Sequence, residues 1–130
     1  MVIYFQGETM KIIWLNKNSE LGIVSFTKSN VTLNKIASTH FKDVEYVMVG
    51  LDKEEKKLYI KPIDNNLLVR GDLDKEELFK ISISKTYDRI SSVMLINLIK
   101  EVQDVTNKKF YSKFNEKEEM LIIDLNKEVK

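Results

Sequence analysis

The side chains able to do chemistry are few, and their types narrow the choice at once. Cysteine is absent and histidine occurs once, as His40. That excludes disulfides, thiolate metal sites, cysteine nucleophiles, a paired-histidine zinc site and a two-histidine relay. The only glycines are Gly7, Gly22, Gly50 and Gly71, so there is no glycine-rich phosphate loop. Asp72-Leu73-Asp74 with Glu76 and Glu77 offers hard oxygen ligands, but it lacks the Asp-x-Asp-x-Asp-Gly order of a calcium loop and reads as a charged turn. Asp43 with Glu55-Lys56-Lys57 has the residue types of a metal-dependent nuclease, yet Glu55 falls in an expected turn, from which it does not converge on a shared ion. His40 falls on an apolar side, where a half-buried structural histidine is expected. No catalytic residue, metal ligand or cofactor is expected, and the chain reads as a binding protein rather than an enzyme.

Charge carries the remaining signal. The 130 residues include 21 basic and 20 acidic side chains, a net charge of +1, so no global field marks a nucleic-acid binder. Locally the balance is uneven. Leu21 to Lys42 holds Lys28, Lys35 and Lys42 without an acid, among Ser25, Thr27, Ser29, Asn30, Thr32, Asn34, Ser38 and Thr39. Leu78 to Tyr87 repeats the pattern with Lys80 and Lys85, and Arg89 follows. A third acid-free window, Val105 to Asn115, sets Lys108, Lys109 and Lys113 among Phe110, Tyr111 and Phe114. Cations, hydroxyls and amides suit phosphate contacts, and aromatics beside them can stack on bases. The expected DNA-binding residues are Lys28, Ser29, Asn30, Lys35, Lys85, Arg89, Lys108, Lys109 and Lys113. The competing reading leaves these lysines on solvated faces and the aromatics in the core.

Periodicity supplies the elements that would position these residues. Lys11 to Leu15 and Gly22 to Lys28 read as strands, with Asn16 to Glu20 as a turn. Ser29 or Asn30 can cap a helix whose face carries Leu33, Ile36, Ala37 and Phe41. Glu45 to Leu51 and Lys57 to Ile63 are strands joined by the polar loop 52–56. Leu67 to Arg70 and Leu78 to Ser84 are strands, Thr86 caps a long helix over 87–106, and Lys109 to Phe114 and Met120 to Leu125 are strands. Ser25-Phe26-Thr27-Lys28-Ser29 matches Ser82-Ile83-Ser84-Lys85-Thr86, and Leu51-Asp52-Lys53-Glu54-Glu55 matches Phe114-Asn115-Glu116-Lys117-Glu118. The expected fold is therefore α+β: two tandem ββαββ units, residues 10–64 and 65–130, with antiparallel strands forming one pseudo-twofold composite core. The helix from Ile90 to Val105 is apolar on more than one side, which implies burial between the halves or self-association with a second copy.

Residues 1–9 have two readings. Tyr4-Phe5-Gln6-Gly7 resembles the end of a tobacco-etch-virus protease site, which would make these residues vector-derived and Met10 the native start; the alternative is an N-terminal strand. No secretory signal is visible. No apolar run approaches the roughly 18 residues of a membrane span, so a cytoplasmic location without membrane contact is expected.

Glu20-Leu21-Gly22-Ile23-Val24-Ser25-Phe26-Thr27, then a short helix, then Val47 to Asp52 and Leu58 to Pro62, resembles the AbrB-type swapped-hairpin module. The resemblance covers residues 10–64 and, more faintly, 66–126. It implies a bacterial DNA-binding regulator built of paired modules. The departures fall at contact positions: Ile23 stands where the family commonly has a basic residue, Thr27 where it has proline, and Val31 and Thr32 where arginines are frequent. The chain also resembles small proteins of low-GC bacteria and their mobile elements. The expected function is a small DNA-binding regulator anchored on the phosphate backbone. The alternatives are a protein-interaction module docking on a host protein, and a small-molecule sensor with a groove between the two units.

Overall fold

Alternating apolar and polar residues build hairpins, and the hairpins close into a barrel. The computed structural model describes residues 2–4, 11–13, 21–71 and 74–129. Strands β1 (Val2–Tyr4) and β2 (Lys11–Ile13) pair antiparallel as a separate two-stranded sheet. The other eight strands are β3 (Gly22–Phe26), β4 (Asn30–Asn34), β5 (Tyr46–Asp52), β6 (Lys57–Pro62), β7 (Phe79–Ile83), β8 (Tyr87–Ser91), β9 (Lys109–Asn115) and β10 (Met120–Glu128). They form one closed antiparallel barrel in the order β10-β6-β5-β7-β8-β4-β3-β9. Closure leaves none of these strands an open edge.

The expected fold of two tandem ββαββ units is overturned by this barrel. The hairpins expected to share one unit are separated: β3–β4 sits between β9 and β8, whereas β5–β6 sits between β7 and β10, so the first two hairpins of the barrel do not pair. The main correction is at Asn30–Asn34 and Tyr87–Ser91. Both stretches were expected to begin helices, and both are strands paired to each other. Val31, Leu33 and Ile90 fit helical spacing as well as strand alternation. The barrel decides, because without the β4–β8 ladder both edges would stay unpaired. The long helix over 87–106 is thus reduced to α2 (Val93–Lys100), capped by Ser92, whose Oγ accepts from the Leu95 N–H at 3.1 Å. In the first half only a 3-10 turn, Thr39–Phe41, replaces the expected helix. The expected strand Leu67 to Arg70 is instead α1 (Asn65–Val69), capped by Asp64. The turn at 16–20 lies outside the described residues, as do Leu15 and the run 5–7.

The two sequence matches fall on the four hairpin turns. Thr27 Oγ1 accepts from the N–H groups of Ser29 and Asn30, and Ser84 Oγ accepts from the Tyr87 N–H. Asp52 Oδ1 accepts from Glu54 and Glu55, and Asn115 Oδ1 accepts from Glu118. Lys56 and Glu119 then take left-handed φ values of 56° and 53° to close the matching turns.

Inside, Val24, Phe26, Val31, Leu33, Ile60, Ile90, Phe110 and Ile123 are buried, and Phe26 meets Phe110 edge-on at 5.7 Å. An eight-stranded barrel has an interior that side chains just fill. The connections at the two ends complete it. Leu95, Ile96 and Ile99 of α2 and Val105 close the end where β8 leaves, and Ala37 and Phe41 pack in where β4 leaves.

Candidate nucleic-acid interface

Strand alternation sends every second side chain outward. On β4 these are Asn30, Thr32 and Asn34, and on β8 they are Tyr87, Arg89 and Ser91, while Val31, Leu33, Asp88 and Ile90 point in. Lys80 and Ser82 on β7, Ile23 and Ser25 on β3, and Lys109, Tyr111, Lys113 and Asn115 on β9 complete the wall. These five strands are consecutive in the barrel, and their outward residues include no carboxylate. At about 4.8 Å per strand, the belt is roughly 19 Å wide.

Eight of the nine expected contact residues lie on this belt with free or lightly engaged side chains. Lys28 and Ser29 form the β3–β4 turn, Asn30 opens β4, Lys35 follows it, Lys85 sits in the β7–β8 turn, and Arg89, Lys109 and Lys113 are exposed on their strands. Lys108, before β9, lies 3.9 Å from Glu128, which offsets its charge. Two contacts hold the surface in place. Ser91 Oγ donates to Asn30 Oδ1 at 2.7 Å, and Lys35 Nζ donates to the Ser84 carbonyl at 2.7 Å. The Arg89 guanidinium lies 5.9 Å from the centroid of the Tyr87 ring. Thr32, Lys80, Tyr87 and Ser91 belong to the belt but were not among the expected contacts. The signal was their alternation with buried neighbours, which the helical readings concealed at Thr32, Tyr87 and Ser91 but not at Lys80.

The stacking platform weighed for Phe110, Tyr111 and Phe114 is not formed, and for Phe110 and Phe114 the competing placement against the core holds. Phe110 is fully buried, and Phe114 is half-buried under His40, whose ring stacks on it at 3.8 Å and 14°. Of the three aromatics, only Tyr111 faces outward. His40 is thus exposed on one side and packed on the other.

One acid lies beneath the belt. Asp88 is 2 % exposed, and its Oδ1 has no hydrogen-bond partner. Burial raises its pKa above the ordinary value, partly countered by the Lys35 ammonium and a hydrogen bond from the Ser84 backbone. Asp104, by contrast, is lowered by accepting from the Thr106 backbone N–H. Among the described residues no group of three His, Cys, Asp or Glu could hold a metal ion. Glu55 is 3.5 Å from Lys57 in its turn, Asp74 caps the 3-10 turn Lys75–Glu77 through the Glu76 N–H, and Asp72 lies outside the described residues.

Two grooves flank the belt. One, about 580 Å³, runs over β9 and β10 where the β10 ladder is interrupted after Ile123; it is lined by Tyr111, Lys113, Ile122, Asp124, Lys57 and Lys127. The other, about 510 Å³, lies between Leu21, Gly22 and Ile36 on one side and Ser112, Phe114 and Leu121 on the other. Among the described residues no helix is long and apolar enough to cross a membrane. No protein-family model matches the chain, and no curated protein or solved structure is significantly similar to it.

Proposed function

We propose that this chain is a small DNA-binding protein with a regulatory role, held on the phosphate backbone by the belt of β7, β8, β4, β3 and β9. The observation that carries the reading is the segregation of charge. A chain with nearly equal numbers of acids and bases keeps Lys80, Arg89, Lys109 and Lys113 on five adjacent strands, and Lys28, Lys35 and Lys85 in the turns and connection beside them, with no outward carboxylate on those strands. Serine, threonine and asparagine side chains fill the intervening positions, and these are neutral phosphate and sugar ligands. With a single arginine on the face, base reading is weak and anchoring dominates.

Fluorescence anisotropy on labelled DNA over a salt series tests it. If Lys28, Lys35, Lys85 and Arg89 each neutralise a phosphate, the log–log salt slope on duplex DNA is about −3 to −4. No binding to duplex or single-stranded DNA at roughly 100 µM protein and low salt would refute the reading.

A second reading, contact with another protein, is favoured by α2. Val93, Met94 and Leu98 are exposed on it, opposite the buried Leu95, Ile96 and Ile99. If this face mediates self-association, sedimentation velocity will show a concentration-dependent species that Met94→Lys removes.

A further inference from the structure

We infer that the belt's target is duplex DNA, engaged with the duplex dyad on the Thr32–Arg89 pair. The inference rests on the nucleic-acid reading above and specifies the substrate within it. The observation is the register of the β4–β8 ladder. Thr32 pairs with Arg89, Asn30 with Ser91 and Asn34 with Tyr87. Residues 57 positions apart occupy matching places in the β3–β4 and β7–β8 hairpins, as Thr27 and Ser84 show by closing their turns through the same hydroxyl-to-backbone contact. Exchanging every residue with its match carries Asn30–Ser91 onto Asn34–Tyr87 and returns Thr32–Arg89 to itself. The ladder therefore has a local twofold axis through its middle pair. On the opposite wall, Tyr59 and Ile122 pair in the same self-matching way at the offset of the other two hairpins.

That axis leaves the barrel through the acid-free face. It relates Lys28 to Lys85, each at the same place in its turn and both exposed. Duplex DNA has the same kind of symmetry, because its antiparallel strands are related by dyads across the helix axis. A single strand has polarity and no dyad. Superposing the two axes puts Lys28 and Lys85 on equivalent phosphates of opposite strands, the arrangement by which symmetric binders match symmetric sites.

The dimensions agree. Five paired residues at about 3.4 Å each put the ladder's ends roughly 14 Å apart, and the turn tips about 20 Å apart. The major groove is about 12 Å wide and admits a two-stranded ribbon. The curved wall presents β4 and β8 at its crest, so the turns straddle the groove and rest on the two backbones. Asn30, Thr32, Asn34, Arg89 and Ser91 then face the groove. Symmetry is broken where it adds little: Arg89 faces Thr32 on the dyad itself, and Lys35 is matched by Ser92.

The experiment uses the full chain and three probes: a mixed-sequence duplex of roughly 20 base pairs and each of its separate strands. Anisotropy titrations over a salt series are run for the wild type and for Lys28→Gln, Lys85→Gln and Lys113→Gln, each exposed and therefore not expected to disturb the fold. The duplex is expected to bind more tightly than either strand. Lys28→Gln and Lys85→Gln should weaken duplex binding by the same factor, each reducing the salt slope by about 0.9, and Lys113→Gln, two strands from the axis, should change it less. Single strands binding as tightly as the duplex would overturn the inference and leave the nucleic-acid reading in place. So would a result in which Lys113→Gln matters and either Lys28→Gln or Lys85→Gln does not. Absence of binding to all three probes would overturn the nucleic-acid reading itself.

Discussion

Replacing Asp88 by valine should stabilise the protein at neutral pH. Asp88 is buried between Leu33 and Ile83 in the ladder, and its Oδ1 accepts no hydrogen bond. The matching position in the first hairpin is Val31, which is buried in the same way, so the barrel accepts valine's shape there. An unsatisfied buried acceptor costs about 1–3 kcal/mol. Against that, the substitution loses the bond from Ser84 and the attraction of the exposed Lys35 ammonium, each worth at most about 1 kcal/mol. Burying the valine methyls adds about 1 kcal/mol in its favour. The net expectation is a gain of about 1–2 kcal/mol at pH 7, or roughly 3–8 °C in Tm for a domain of this size. The sign with pH follows from linkage. The folded pKa of Asp88 is raised by burial, so between its ordinary 3.8 and the higher folded value the native state binds the extra proton. Wild-type stability from this residue is therefore fullest below 3.8 and is lost as pH rises through the folded value. The advantage of Asp88→Val should shrink as the medium is acidified. Urea unfolding followed by circular dichroism at several pH values measures it. A variant less stable than wild type at pH 7, or an advantage that does not vary with pH, would refute the reasoning.

Three further outcomes follow from packing. Phe26 is 1 % exposed while its match, Ile83, is 48 % exposed, because the longer connection carrying α2 covers only one end; Phe26→Ala should cost about 3–5 kcal/mol and Ile83→Ala no more than about 1, read by urea unfolding. A Cβ on Gly22 would lie 2.7 Å from Ser112 Oγ and 3.2 Å from the Ala37 Cα, so Gly22→Ala should destabilise by about 1–3 kcal/mol, and Ser112→Ala in the same chain should recover part of it in a double-mutant cycle. Ser92→Ala removes the cap of α2 and should cost about 1 kcal/mol, seen as a lowered midpoint in thermal melts.

Local chemistry was legible along the chain. Asp52 and Asn115 marked two of the four hairpin turns because their side chains bond the backbone a few residues on, a contact that needs no distant partner. Thr27 and Ser84 close the other two in the same way, where the sequence reads instead as helix starts at Ser29 or Asn30 and at Thr86. β3, β5, β6, β7, β9 and β10 were legible from alternation between those turns. The acid-free windows were legible from composition, and they held seven of the eight expected contact residues that the barrel places on the belt; the eighth, Arg89, follows Asp88 just outside them. What the residues alone left undecided was decided by pairing across the chain. Val31, Leu33 and Ile90 suit a helix or a strand, and only the β4–β8 ladder, between segments 57 positions apart, makes them strands. That ladder also turns Arg89, Thr32 and Ser91 outward together and Asp88 inward, an outcome no window of neighbouring residues encodes. The physical reason is that closing the barrel satisfies whole rows of backbone donors and acceptors at once, an energy that outweighs local helix preference and exists only when distant strands meet.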